Sequence, residues 1–434
     1  MEVQNKAREI YKDDFTEYLL CLALDVGEGM LKNGGEIARV EDTIERICRA
    51  YGAVHVEVFT IISMINAAIR MPDGSYSLQL RRVKQTSNNL NMLERLNALS
   101  RRICTDTPSL DEFDAMLGAL KNEKPYKTWM YIAASAVATG AFCLFFGGGV
   151  IETVIAGFLG TMLSLIINFP SARLNSMAKT VIAAFCAATV GGVCFVLLPN
   201  LEINSLISGA IMLLVPGILF STAMRDLLCG DLIAGMLKIL QAMIQTLMIG
   251  FGYMLSYALI GDSLIPDISS KGGHDFILEL IAAFVASVAF AIIFKINRRH
   301  LINAGICGVV TFTVYYCVEM FTFSVFWAAF ACSVVAALYS EIYARICRAP
   351  SIVMLMPGIV PIVPGGFLYR GVRDYVCDMT SSALAELAGA GAIALGMAGG
   401  IVSLTIVFGI VSDYISKKKR KERARSSPKV GSVK

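Results

Sequence analysis

The chain has 434 residues, of which 56% are hydrophobic and 17% are charged, and its mean hydropathy is +0.64. This composition excludes an ordinary soluble globular protein and indicates an integral membrane protein. The net charge of +4 is concentrated in a basic run at residues 417–421, which is typical of a cytoplasmic anchor beside a membrane span rather than of nucleic-acid binding.

Residues 1–127 carry charged side chains at the density of a soluble protein and are predicted to form a small α+β domain. The segment Met1–Asp14 is polar and lacks the features of a secretory signal, so the domain is expected in the cytoplasm. Pro72-Asp73-Gly74 is a turn signal between two strands. Periodicity and composition predict helices at 15–33, 37–50 and 88–122, with a break at 106–108, and strands at 54–60, 66–71 and 75–83.

Apolar segments long enough to cross a bilayer fill most of residues 128–415. They predict a mainly α membrane protein with about ten transmembrane helices, of which the fifth and the tenth are long enough to be tilted or broken. The predicted spans are 128–148, 150–169, 177–198, 203–224, 231–260, 275–294, 300–319, 321–342, 350–371 and 381–414.

A motif in the fourth predicted span recurs in the ninth. Val215-Pro216-Gly217 is followed after seven residues by Arg225-Asp226, and Val363-Pro364-Gly365 is followed after seven residues by Arg373-Asp374. The repeat divides the membrane region into two five-helix halves, residues 128–265 and 275–415. Because five is odd, the second half must enter the membrane upside down, so we expect two inverted repeats related by an axis in the membrane plane.

The distribution of basic residues predicts cytoplasmic N and C termini, because the loops on the side of the soluble domain hold most of the lysines and arginines. Residues 416–434 are then a basic cytoplasmic tail. Arg370 and Arg373 are exceptions, since the inverted arrangement places them on the outer side. Ionisable residues within apolar segments indicate function rather than topology.

The repeated proline and glycine residues predict two broken helices. Proline removes a backbone donor and glycine removes the side chain that would cover the freed carbonyl, so backbone dipoles become accessible to a solute. A simple kink is the alternative, and the recurrence at matched positions counts against it. The candidate substrate-binding or gating residues are Pro216, Gly217, Pro364 and Gly365, together with Pro357 and Gly358, which add a further break to span nine.

The charged residues near the breaks are candidate substrate ligands. Arginine offers a planar, bidentate partner for a carboxylate, and aspartate can bind an ammonium group or a proton. An α-amino acid carries both groups, although each Arg-Asp pair could instead cap a helix or neutralise itself. These candidates are Arg225, Asp226, Arg370, Arg373 and Asp374.

Lys238 and Glu386 occupy equivalent apolar positions in spans five and ten and are candidate coupling residues. Their opposite charges could pair across the interface of the two halves, or Glu386 could carry a proton. Lys238 could instead extend to the cytoplasmic interface. Four glutamates near span ends are expected to be interfacial, namely Glu152, Glu279, Glu319 and Glu341.

No cofactor, metal site or catalytic residue is predicted. The cysteines show no CxxC pair and are expected to be small buried hydrophobic residues, the three histidines are scattered, and the sequence has no phosphate-binding loop or nucleophile triad. Without an ATP-binding motif, transport would be driven by an ion gradient or by the solute itself. The chain is therefore not expected to be an enzyme.

Several motifs resemble those of the threonine/serine exporter family. The sequence at 34–43 and Val56-Glu57-Val58-Phe59 look like its N-terminal helix and strand, and the motif at 215–227 is similar to its first membrane half. Met356-Pro357-Gly358 followed by Val363-Pro364-Gly365 looks like its second half. The resemblance covers nearly the whole chain, apart from the extreme N terminus and the basic tail.

This resemblance implies a secondary transporter of the bacterial plasma membrane that exports threonine and serine by the proton motive force. Its partners would be a small-molecule substrate and the lipid bilayer, with no nucleic acid, and formation of a homo-oligomer stays open. Split relatives in the family are associated with succinate export, so a dicarboxylate exporter is an alternative that the arginines near the motifs would suit. A second alternative is a membrane-anchored enzyme or sensor that acts through the N-terminal domain, a domain that has been likened to hydrolases.

Overall fold

The protein is mainly helical, with one small sheet near its N terminus. The computed structural model describes residues 14–84, 87–120, 126–170, 174–198, 200–216, 219, 222–223, 226–227, 230–261 and 275–426, with side chains as far as residue 408. The elements are α1 (Phe15–Lys32), α2 (Ile37–Ala50), β1 (His55–Ile61), β2 (Met64–Arg70), β3 (Tyr76–Arg82), α3 (Leu90–Asp106), α4 (Leu110–Leu120), α5 (Thr128–Phe145), α6 (Val150–Asn168), α7 (Ser176–Leu197), α8 (Ile203–Ile211), α9 (Leu232–Ile260), α10 (Phe276–Ile293), a 3-10 turn (Arg298–His300), α11 (Leu301–Thr322), α12 (Val325–Cys347), α13 (Ile352–Ile359), a second 3-10 turn (Val360–Ile362), α14 (Gly365–Val376) and α15 (Thr380–Ser426).

The predicted α+β arrangement of the N-terminal region is confirmed. Its strands form an antiparallel sheet in the order β1-β2-β3, and α1 packs against β2 and β3 while α2 packs against β1. The predicted turn lies between β2 and β3, where Met71 N donates to Ser75 O at 2.9 Å. Fully buried side chains such as Leu19, Ile44 and Phe113 fill the space between the helices and the sheet. Burial of these apolar side chains stabilises the domain.

The membrane region is confirmed as helical and apolar. In the described residues, eight helices are long and apolar enough to cross a bilayer, and the bent pair formed by Ile352–Ile362 and Gly365–Val376 gives up to nine. Of the predicted fourth span, α8 covers only Ile203–Ile211, and much of the segment after α8, including Gly217 and Arg225, lies outside the described residues. The tenth predicted span is longer than expected, because α15 continues to Ser426 into the predicted basic tail.

The two membrane halves share the same packing partners. In the first half α5 packs on α6 and α7 on α9, and in the second half α10 packs on α11 and α12 on α15. The offset that relates the two motif copies also relates Gly160 to Gly308, and Thr139 to Ser287. A Cβ atom on Gly160 would overlap the hydroxyl of Thr139, and one on Gly308 would overlap the hydroxyl of Ser287. Close helix contact is thus built by small residues at matched positions in both halves.

We expect opposite effects from two glycine-to-alanine substitutions. Gly160→Ala should lower the melting temperature, because the new methyl group overlaps Thr139 and Ser135 and overpacking costs about 1–3 kcal/mol. Gly391→Ala should leave the melting temperature unchanged or raise it, because nothing lies within 4 Å of its Cβ position and alanine favours a helix. Thermal unfolding in detergent measures the melting temperatures of both variants. Equal melting temperatures of the two variants would contradict close helix packing at Gly160.

The soluble domain docks on one end of the second membrane half. Leu90 N donates to Phe294 O at 3.0 Å, and Arg101 Nη2 donates to Arg348 O at 2.8 Å. The hydroxyl of Tyr126 donates to Ile296 O at 2.5 Å. Phe294 lies at the end of α10, Ile296 follows it, and Arg348 lies at the end of α12. This end of the bundle therefore faces the domain.

An ionic cluster built on the buried side chains of Glu94 and His300 lies on this docking surface. Glu94 forms ion pairs with Arg299 and with His300, whose side chain is fully buried, and His300 Nδ1 lies 2.8 Å from the hydroxyl of Tyr343. Burial raises the pKa of Glu94, but hydrogen bonds and charges from His300 and Arg299 outweigh it and hold that pKa below its usual value. Glu94 is therefore ionised at neutral pH and binds the membrane half.

Glu94→Gln should loosen the docked domain at neutral pH, because the amide removes the charge that Arg299 and His300 face. Hydrogen exchange of α3 amides should become faster, whereas Glu45→Gln, which alters an exposed pair with Arg49, should leave it unchanged. Since the pKa of Glu94 is depressed, its contribution is present at neutral pH and is lost as pH falls through that pKa. Unaltered α3 exchange in the Glu94 variant would contradict a role in docking.

Candidate transport site

Span nine is broken at Val363-Pro364. α13 and the second 3-10 turn form one arm, α14 forms the other, and the arms are bent by 42°. Pro364 has no backbone donor, so the helix cannot run through this position. Pro357 and Gly358, which the sequence predicts to add to the interruption of span nine, lie in the last turn of α13, which ends at Ile359 where the 3-10 turn begins. Gly358 also permits close approach, since its Cβ position would overlap Cys307 of α11.

The break in span nine contacts the first half at the corresponding motif. A Cβ atom on Gly365 would lie 2.5 Å from Met212 Sδ and 3.1 Å from Val215 Cγ1. Pro216, which comes directly after Val215, is buried. Gln245 of α9 donates from Nε2 to Leu214 O at 2.8 Å, so a side chain satisfies a carbonyl just ahead of the first motif. The described part of the first motif and the second motif therefore meet inside the membrane region.

A cavity of about 310 Å³ lies beside the break in span nine. Pro361, Val363 and Gly366 line it on the side of the break, and Glu279, Glu319 and Arg370 are its charged lining residues. This volume is within the range of small-molecule sites. The aromatic lining residues are Phe145, Phe146, Phe312, Tyr315, Tyr316 and Phe367.

The cavity opens away from the soluble domain. Glu279 lies in the first turn of α10 and Glu319 in the last turns of α11, whereas the domain binds near the end of α10 and the start of α11. Each helix is long enough to separate its two ends by roughly the thickness of a bilayer core. The domain and the acidic lining residues of the cavity thus lie at opposite ends of α10 and α11.

Arg370 is the cationic residue of the cavity. Its Nε donates to Glu386 Oε1 at 3.0 Å, and its guanidinium carbon lies 4.7 Å from the centre of the Phe367 ring. About 29% of the Arg370 side chain is exposed, so it is accessible from the cavity. The second carboxylate oxygen of Glu386 is buried without a hydrogen-bond partner. Gly366 leaves room for this arrangement, since its Cβ position lies 3.2 Å from Arg370 Nη1.

Arg373 and Asp374 bind each other and lie away from this cavity. Arg373 Nε donates to Asp374 Oδ1 at 2.7 Å, and its Nη1 donates to Asn204 Oδ1 of α8 at 2.7 Å. Asp374 also accepts a hydrogen bond from Ser382 at 2.5 Å. Both side chains are largely buried. The pair is self-neutralised, as the alternative interpretation of the sequence held, and it joins the second half to the first.

The predicted pairing of Lys238 with Glu386 across the halves is wrong. Lys238 forms an ion pair with Asp226, and Glu386 forms one with Arg370, so each pair lies within a single half. The side chain of Lys238 is 15% exposed, so it does not extend into solvent at the interface. The equivalent positions thus carry different ion pairs, one near each motif.

Sequence reasoning missed the importance of three glutamates. Glu279 and Glu319 are not merely interfacial, because both line the cavity with Arg370. Glu152, also expected at the interface, is buried and accepts a hydrogen bond from Glu202 N at 3.1 Å. The signal that could have found the first two is the clustering of aromatic residues around them, at 312–316 and at Phe276.

Comparison with known families decides the identity of this membrane protein. Residues 21–260 match a family model of threonine/serine exporters, and residues 279–419 match a second model, described as "Threonine/Serine exporter, ThrE". The chain belongs to the threonine/serine exporter family. The two matched segments meet close to the boundary between the two membrane halves.

Individual relatives support the same family. A "Threonine/serine exporter" of Corynebacterium glutamicum is 22% identical over 88% of this chain and 81% of the relative. A "Probable threonine/serine exporter" of Mycobacterium tuberculosis is 23% identical over 90% of this chain and 76% of the relative. "Pheromone-regulated membrane protein 10" of Saccharomyces cerevisiae is 24% identical over 64% of this chain and 75% of the relative. No solved structure matches the chain.

Proposed function

We propose that this member of the family exports small polar amino acids, threonine and serine, across the bacterial plasma membrane. The observation that carries the proposal is the cavity beside the break of span nine, which brings Arg370 and residues of an interrupted helix to one solute-sized space. An interrupted helix at membrane depth is tolerated where it lines such a space. Arg370 would bind the substrate carboxylate by paired hydrogen bonds.

The matched packing of the two halves supports alternating access. In an inverted repeat, the second half uses the contacts of the first in the opposite orientation, and the two halves can rock about their shared centre. The contact of Gly365 with Met212 and Val215 would form this centre. With the soluble domain and both termini in the cytoplasm, the described cavity would face outward, and the docked domain would lie on the closed side.

The Arg370–Glu386 pair supports coupling of substrate movement to proton movement. Glu386 accepts a hydrogen bond from Arg370. A substrate carboxylate that binds Arg370 competes with Glu386, whose released carboxylate is then free to take a proton. Substrate and proton would thereby bind together and cross the membrane in the same direction.

The dicarboxylate alternative receives little support from the lining of the cavity. Of the three arginines that motivated it, Arg370 lines the cavity, Arg373 is bound by Asp374 and Asn204, and Arg225 lies outside the described residues. Glu279 and Glu319 add two carboxylates, which would repel a second carboxylate on the substrate. A solute with one carboxylate and one ammonium group suits this charge pattern better.

Efflux from intact cells tests the proposed function. Cells that lack their own threonine exporters and produce this chain should, after loading with a threonine-containing dipeptide, release threonine faster than cells with empty vector. Deletion of residues 1–120 should slow release without removing the membrane part, whereas a sensor or enzyme acting through that domain would give no release in either case. Equal release from vector and producing cells would contradict the proposal.

A further inference from the structure

The wall of the cavity formed by α10 and α11 has a chemistry distinct from that of the Arg370 wall. Glu279 and Glu319 come from neighbouring helices and line the same cavity. Neither residue belongs to the repeated motif. The wall formed by span nine instead carries Arg370, which forms an ion pair with Glu386.

Aromatic residues line the same cavity as these two carboxylates. Phe276 lies 4.5 Å from Tyr316 and 6.4 Å from Phe312 between ring centres, and Phe145 lies 4.9 Å from Phe312. The faces of aromatic rings attract cations, and carboxylates do so more strongly. The carboxylates and aromatic rings of the α10–α11 wall favour a cationic group of the ligand. Arg370 on the span-nine wall favours an anionic group.

We propose that the α10–α11 wall is the ammonium subsite of the transporter and that it selects α-amino acids against acids that lack the amino group. Glu279 and Glu319 accept hydrogen bonds from the ammonium group, and Tyr315 and Tyr316 border it. The inference rests on the proposed function, since it assigns the orientation of the same substrate: carboxylate toward Arg370, ammonium toward the acidic wall. Span nine supplies only the carboxylate end.

Competition in proteoliposomes tests this subsite with two solutes that differ at one group. 3-Hydroxybutyrate keeps the carboxylate and hydroxyl of threonine and lacks its amino group. The quantity measured is the ratio of the inhibition constant of 3-hydroxybutyrate to the KM of threonine. In the wild type this ratio should be high, and in Glu279→Gln and Glu319→Gln it should fall at least about tenfold, because the charged partner of the ammonium is lost.

Two further variants separate recognition from stability. Glu319→Asp keeps the charge and should retain most of the discrimination, and Glu341→Gln alters a glutamate outside the cavity and should keep the wild-type ratio. An unchanged ratio in both cavity variants, or an equal loss of affinity for both solutes, would overturn the ammonium subsite. Failure of the wild type to move labelled threonine at all would instead refute the proposed function, and the subsite with it.

Discussion

Arg370→Ala should abolish threonine transport while the protein remains folded. Arg370 is the cation of the cavity and the residue that can bind a substrate carboxylate. Removal of one partner of a partly desolvated charged pair costs about 2–5 kcal/mol, which corresponds to a loss of more than roughly thirtyfold in affinity. Arg370→Lys should restore only part of it, because lysine cannot form the bidentate contact. Initial rates in proteoliposomes with equal protein content measure both variants.

Arg373→Ala provides the matched comparison, because it removes the same side chain three residues along α14. Its main effect should be a lower melting temperature, since Asp374 and Asn204 lose their partner and a hydrogen bond between the two halves is removed. Arg370→Ala should lower the melting temperature less, because Arg370 and Glu386 are 29% and 23% exposed, whereas Arg373 and Asp374 are 11% and 3% exposed. If the Arg370 variant transported threonine at the wild-type rate, the cavity would not be the substrate site.

Glu386→Gln should separate transport from the pH gradient. Glutamine can no longer take up a proton, so a pH gradient across the vesicle should cease to drive net threonine movement. Exchange of internal for external threonine needs no net proton movement and should persist. The comparison of net flux with exchange, each with and without a pH gradient, measures this effect.

The control for this prediction is Lys238→Met, which alters the equivalent position in span five. Lys238 pairs with Asp226 and does not line the cavity, so its loss should reduce the amount of folded protein rather than the response to pH. Net flux that still depends on the pH gradient in the Glu386 variant would exclude Glu386 as the coupling residue.

The sequence predicted the architecture well, because it depends on local patterns. Runs of apolar residues locate the spans, and Pro72-Asp73-Gly74 locates a turn, since each acts through a few neighbouring residues. The break at Pro364 was likewise predictable from the missing backbone donor. Pro357 has the same defect, and α13 ends two residues after it, where the 3-10 turn begins.

The division of roles among the charged residues could not be predicted from the sequence. Arg370 and Arg373 lie one turn apart on α14. The approach of α8 brings Asn204 to Arg373, so Arg373 joins the two halves while Arg370 lines the cavity. The positions of Lys238 and Glu386 are equivalent in the two halves, but their partners are not. The residue equivalent to Arg370 in the first half is Thr222, which cannot form an ion pair.

Counterflow in proteoliposomes tests the central claim most directly. Vesicles that contain the purified protein and excess unlabelled threonine should take up labelled threonine, and external serine should compete with it more strongly than succinate. An imposed pH gradient should change net flux in the wild type. Absence of labelled uptake in wild-type vesicles, or uptake of succinate in preference to threonine, would contradict an amino-acid exporter with its site at the break of span nine.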